Sequence, residues 1–152
     1  MIAVLCLAGP RISGLTDAPR ARLDLHGGRL QVGKAKTEAG LRDLELTAFL
    51  LDELRSHLAA LVSRRPALNG ADVPIFPTRR GGRLNASNVR TRLLEETVKK
   101  VNNRRAKSGR MLLPDTVTPH TLRRTFASLA LAAGRDPRWV MGQLGHTTLD
   151  SP

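Results

Sequence analysis

"TPHTLRRTFASLALAAGRDPRWVMGQLGH", residues 118–146, is the stretch that decides the fold. Pro119 stands where the first turn of a helix tolerates proline, since that residue's N–H would be unpaired in any case. Leu122, Phe126, Leu129 and Ala133 then recur at helical spacing as an apolar stripe, and Gly134 stops the helix. Asp136 is placed to cap a second, short helix over "DPRWVMGQLG", which Gly145 closes. On the first helix His120 and Arg123 are three residues apart and share one face. They lie in its opening turns, where free backbone N–H groups and the helix dipole favour a bound phosphate. Taken alone, H-x-x-R fits a solvated face better than a site. The combination of H-x-x-R, a short helical hairpin and L-G-H, which puts His146 at the second helix's exit, is far more specific.

Upstream, "NNRRAKSGRMLLPD" (102–115) reads as a basic, flexible connection, and Asn85 caps a helix running to about Val101. "PALNGADVPIFPTRRGG" (66–82) is loop with a brief strand at "PIF". Leu46, Leu50, Leu54, Leu58 and Leu61 mark a helix capped by Thr47 and ended at Arg65 by Pro66. Period-two alternation in "RLDLHGGRLQV" around Gly27-Gly28 signals a hairpin. "LRDLEL" is a further strand, joined to it by "GKAKTEAG", so residues 22–46 form a small antiparallel sheet. Residues 1–8 read as a core helix, and "GPRISGL" as a turn into a short helical segment. The expected architecture is α+β, mainly α-helical, with one small antiparallel sheet near the N-terminus, in a single domain.

A chain of 152 residues with 41% hydrophobic and 25% charged residues can fold around one core. Phe49, Phe76, Phe126 and Trp139 are its only aromatics, so the core is built from Leu, Ala and Val. Net charge is +12 and the pI about 11.5, which biases the chain toward polyanions. Residues 79–110 hold 11 Lys/Arg against two Glu, a net +9. Arginine outnumbers lysine 20 to 5; both phosphate recognition and a GC-rich genome produce that bias. The lone Cys6 rules out an internal disulfide and fits a reducing compartment. There is no zinc-type cluster, no secretion signal in "MIAVLCLAGP", and no apolar run of membrane-spanning length.

Residues 118–146 resemble the second conserved block of the tyrosine recombinases, the phage integrase family. "LAGPRISGL" is similar to the first block, in which G-x-R-x-S carries an arginine, and "LQVGKAKTEAGLRDLEL" to the intervening hairpin with its K-T element. "IFPTRRGGRLNASNVRTRL" resembles the connecting segment, so the likeness covers nearly the whole chain in the right order. The resemblance implies the recombinase catalytic-domain fold and catalytic roles for Arg11, Lys36, His120, Arg123 and His146. Arg11 and Arg123 would clamp the scissile phosphate, and Lys36 would protonate the departing 5′ oxygen. His120 would serve in proton transfer, and His146 would hydrogen-bond a non-bridging oxygen. Guanidinium forks stabilise the charge that gathers on a phosphodiester under attack, and an alkoxide leaves well only when protonated. No cofactor or metal is implied, because the cations are side chains.

The implied partner is double-stranded DNA, contacted by Arg79, Arg80, Arg83, Arg90, Arg92 and Arg124, with no membrane partner and a cytoplasmic, nucleoid-associated location. An intact member would break and rejoin DNA through a phosphotyrosyl intermediate, as a homo-oligomer on DNA. This chain holds no tyrosine. Against the family it resembles an incomplete catalytic domain over 1–152, lacking the N-terminal DNA-clamping domain and the C-terminal tyrosine segment. It is expected to bind DNA without cleaving it, as a monomer or in non-specific association. Apolar surface near Trp139, Val140 and Leu144 is then expected to be exposed. Gly14 stands where the family often has an acidic residue, and Arg22 replaces another, which would loosen Arg11. The alternatives are a non-catalytic basic nucleic-acid-binding protein and an inactive remnant of a mobile element.

Overall fold

In the computed structural model of the chain, which describes residues 1–33 and 41–145, the alternation around Gly27 and Gly28 is a hairpin. Strands β1 (Leu23–Asp24), β2 (Arg29–Gly33) and β3 (Leu41–Glu45) form an antiparallel sheet in that order. Asp24 closes the turn, its carboxylate accepting from the N–H groups of Gly27 at 2.7 Å and His26 at 3.0 Å. The Gly27 bond above all holds that carboxyl below its ordinary pKa. Leu30 pairs with Leu44, and Val32 with Arg42. Cross-strand partners share a face. Leu30, Val32 and Leu44 therefore enter the core together, and Arg42 is drawn to the same side.

Helices α1 (Ile2–Leu7) and α3 (Ala48–Arg64) close over that face. Thr47 caps α3, its hydroxyl accepting from Leu50 N, and the chain leaves at Arg65 before Pro66. Val4, Leu5, Leu15, Leu50, Leu54 and Ile75 complete the main core, with Leu15 supplied by α2 (Ile12–Thr16). Fully burying one such side chain contributes roughly 1.5–3 kcal/mol. "PIF" is not a strand. Pro74 makes one isolated bridge with Pro19, and Ile75 donates to the Ala18 carbonyl at 3.0 Å. Proline has no N–H to extend a ladder, so burial of Ile75 and Phe76 anchors the segment instead.

Asn85 caps the next helix as expected, accepting from Ser87 N and Asn88 N. The helix runs through α4 (Ala86–Asn88), a π-helical turn (Val89–Leu94) and α5 (Glu95–Lys107). It thus continues six residues past Val101 into the stretch expected to be flexible. The Asn102 amide exchanges two hydrogen bonds with the Leu113 backbone, at 2.8 and 2.9 Å, and folds the following chain back on the helix. Glu95 and Glu96 in the first turn of α5, with Arg104, Arg105 and Lys107 in its last, match the helix dipole.

Helix α6 (Pro119–Ala132) opens with a capping box between Thr118 and Thr121. Its buried face matches the stripe read from the sequence only in part: Phe126 is buried and Leu122 packs on the main core, but Arg123 and Ala130 are buried as well, whereas Leu129 is 54% exposed and Ala133 is exposed. Helix α7 (Pro137–Leu144), capped by Asp136, packs Val140 and Leu144 on Phe126 and Ala130. That packing covers the surface expected to be open. Val140 and Leu144 are 3% and 8% exposed, and Trp139 is half-buried with its indole N–H donating to Glu45 at 3.0 Å. Among the described residues no helix is long and apolar enough to cross a membrane.

Candidate active site

Two glycine turns and one buried arginine build the site. Gly9 has φ +65°, and a Cβ there would lie 2.5 Å from Phe126 Cδ1, so only glycine fits between α1 and α6. The turn it makes launches Pro10 and Arg11, the residue before α2. At the other end Gly145 takes φ +64° and closes α7 in the left-handed cap. Arg123 joins the two turns. Its Nη1 donates to the Gly9 carbonyl at 2.7 Å and its Nη2 to the Leu144 carbonyl. A planar guanidinium can hold two acceptors in divergent directions, which an ammonium does poorly.

Arg11 is exposed beside Arg123, and both line a cleft of about 360 Å³ with Ile12, Ser13, Pro119 and His120. Arg11 and Ser13 also line a neighbouring cleft of about 290 Å³ with Gly14, Asp17, Gly33 and Arg42. On the other side Ile12, Pro119 and His120 continue into a shallow depression of about 490 Å³ that includes Ser87, Arg90 and Thr118. Shared walls make these one trough, running from Gly33 and Arg42 at the end of the β2–β3 pair to the start of α4.

The electrostatics of the trough are those of uncompensated positive charge. Burial, then the charges of Arg11 and Arg42, depress the Arg123 pKa to about 10. Burial, then Arg11, lowers that of Arg42. Among the described residues the one ion pair is Arg55 with Asp52, in the first half of α3, so none of these three arginines has a carboxylate partner. Asp17 borders the trough without pairing. An oxyanion such as a phosphate group is the kind of ligand that such a cluster of cations accommodates.

Of the residues singled out in the sequence, Arg11, His120 and Arg123 share one cleft, and Arg90 borders the adjoining one. Arg79, Arg80, Arg83, Arg92 and Arg124 are exposed and line none of these clefts. Lys36 and His146 lie outside the described residues. Gly14 packs against β2, where a Cβ would make ordinary contact with Val32 at 3.5 Å, so a methyl group would fit there. Arg22 donates from Nη1 to the Gly33 carbonyl at 3.1 Å, tying the hairpin at the trough's edge. Arg42 was missed. Its signal was available in "LRDLEL": with Leu44 and Leu46 inward, Arg42 two residues earlier must face inward as well.

The sequence profile of the Phage integrase family matches residues 1–151. Tyrosine recombinase XerC of Pelotomaculum thermopropionicum is 32% identical, over 99% of this chain and 46% of its own length. XerC of Thermodesulfovibrio yellowstonii is 31% identical, over 95% of this chain and 44% of its own. Among solved structures, XerA recombinase matches with a TM-score of 0.71 and 25% identity, over 96% of this chain and 47% of that one. The Tn1549 transposon integrase in complex with transposon right end DNA matches with a TM-score of 0.77 at 22% identity, a likeness of fold, over 97% and 50%. The chain belongs to the phage integrase family, and its fold is that of the tyrosine recombinase catalytic domain. It spans about half the length of the curated relatives it matches.

Proposed function

We propose that the trough holds the sugar–phosphate backbone of duplex DNA, and that the chain supplies the phosphate-activating part of a DNA breaking and rejoining site. The observation that carries this reading is the set of guanidinium groups sharing one trough with no carboxylate partner among the described residues. Arg11 and Arg123 hold the non-bridging oxygens and stabilise the charge that develops when the phosphodiester is attacked. Arg123 keeps Nη1 and Nη2 on the two turns and offers its remaining donors to the ligand. His120, exposed in the first turn of α6, moves a proton at the reacting oxygens, and Lys36 protonates the leaving 5′ oxygen. His146 adds a hydrogen bond. Arg79, Arg80, Arg83, Arg90, Arg92 and Arg124 contact flanking phosphates. XerH recombinase bound to its difH substrate has the same fold, which supports DNA as the partner.

With no tyrosine in the chain, attack by a phenol is not available to it. A nicked suicide duplex is therefore expected to yield no covalent protein–DNA adduct on a denaturing gel; an adduct from this chain alone overturns the assignment. Joined to the tyrosine-bearing C-terminal segment of a XerC relative, the chain should form one, and Arg11→Ala should slow it roughly a hundredfold. No adduct from a folded, DNA-binding joined protein would favour the second reading, a non-catalytic DNA-binding protein, which the net +9 of residues 79–110 supports.

A further inference from the structure

We propose that Arg42 is a third phosphate-binding residue, whose guanidinium meets a DNA backbone phosphate lodged between β3 and Arg11. The inference rests on the reading of the trough as a phosphodiester site and adds to it a residue contributed by the sheet. Arg42 lies in β3 opposite Val32, so its side chain shares the inward face of the sheet and emerges in the cleft that Arg11 also lines. Its Nε and Nη2 are buried, yet have no hydrogen-bond partner among the described residues. Buried guanidinium donors without acceptors are costly, and so are like charges in one cleft without a counter-ion. Both costs vanish together when an oxyanion occupies the cleft.

The same guanidinium abuts the α7 terminus: a Cβ at Gly145 would collide with its Nη1, Cζ and Nε. Arg42 thus packs between the sheet and the turn at Gly145, with its Nε and Nη2 out of contact with solvent. Such a side chain has lost its conformational entropy before the ligand arrives, which favours binding. A surface arginine of the kind found at Arg79 or Arg83 would have to be ordered by the DNA.

The test is titration of the full chain with inorganic phosphate, followed through the arginine Nε–H resonances of ¹⁵N-labelled protein. Arg42 and Arg11 resonances should move together with one apparent Kd. Arg42→Met, which keeps the apolar stem but removes the donors, should weaken phosphate binding roughly tenfold, in line with loss of a charge-assisted hydrogen bond. Arg83→Gln should leave phosphate binding unchanged while weakening binding of a duplex. Arg42→Met should also shrink the rise in Tm that phosphate produces. A purely structural Arg42 predicts the opposite: a lower Tm without phosphate and an undiminished phosphate increment. If Arg42→Met fails to fold, the parent titration decides alone. Movement of Arg11 without Arg42 refutes the proposal and leaves the trough as a two-arginine site. Movement of both, with duplex binding insensitive to Arg11→Gln and Arg42→Met, keeps the anion site and removes the DNA reading.

Discussion

Arg123 shows how much of one residue's setting lies outside the local sequence. H-x-x-R spacing placed it beside His120, but its burial and its two carbonyl partners come from residues 114 and 21 positions away, which no local pattern encodes. Its energetics set opposing effects against each other. A pKa lowered from the ordinary arginine value to about 10 corresponds to about 3 kcal/mol against the charged form. Two charge-assisted hydrogen bonds contribute about 1.5–3 kcal/mol each in the other direction. The bonds should win narrowly, so Arg123→Met should lower unfolding stability by about 2 kcal/mol in urea titrations; a more stable variant would mean that repulsion dominates. The sign with pH follows. Because the folded pKa lies below the unfolded one, the charge penalty is fully present below about pH 10 and is relieved as pH rises through that value. Near neutrality only a bound anion relieves it. Loss of function in an Arg123 variant therefore mixes a lost ligand contact with two loosened turns.

At the level of elements, the helices and the sheet were legible wherever capping residues and periodicity agreed. Thr47, Asn85 and Asp136 each cap the helix that the sequence assigns to them. The misreadings share a cause, tertiary contacts that local patterns do not carry. Leu113 holds Asn102 and so lets α5 run on; Phe126 and Arg123 turn α6 away from the Leu129 stripe; proline at 74 reduces "PIF" to a single bridge. The end of α7 offers a direct test of how elements lock. Gly145→Ala must place an L-residue at φ +64° and push its Cβ into Arg42. A destabilisation of about 2 kcal/mol is expected, since the left-handed region alone costs about 1–2. Arg42→Met should recover part of it in a double-mutant cycle. Additive effects would show that Arg42 does not confine the turn.

For the molecule as a whole, the asymmetry of charge governs encounter with DNA. The net +9 of residues 79–110 sits on mostly exposed arginines and lysines of the loop, the π-helical turn and α5, of which only Arg90 borders the trough. Duplex binding should be micromolar or weaker at physiological salt and should fall steeply with added salt. Neutralising Arg79, Arg80 and Arg83 together should reduce the slope of log K against log salt by about 2–3, while the anion affinity of the trough stays constant. A slope that does not change would place the DNA on another face. The clasp that Arg123 forms between the Gly9 and Leu144 carbonyls has a consequence for how the chain reaches this form. Closing it joins residues 114 apart, and loop-closure entropy makes such contacts late ones. On the ribosome, the sheet and α3 can assemble early from neighbouring sequence. Helix α1 packs on α6 as well as on α3, so its docking is completed only after α6 has been synthesised.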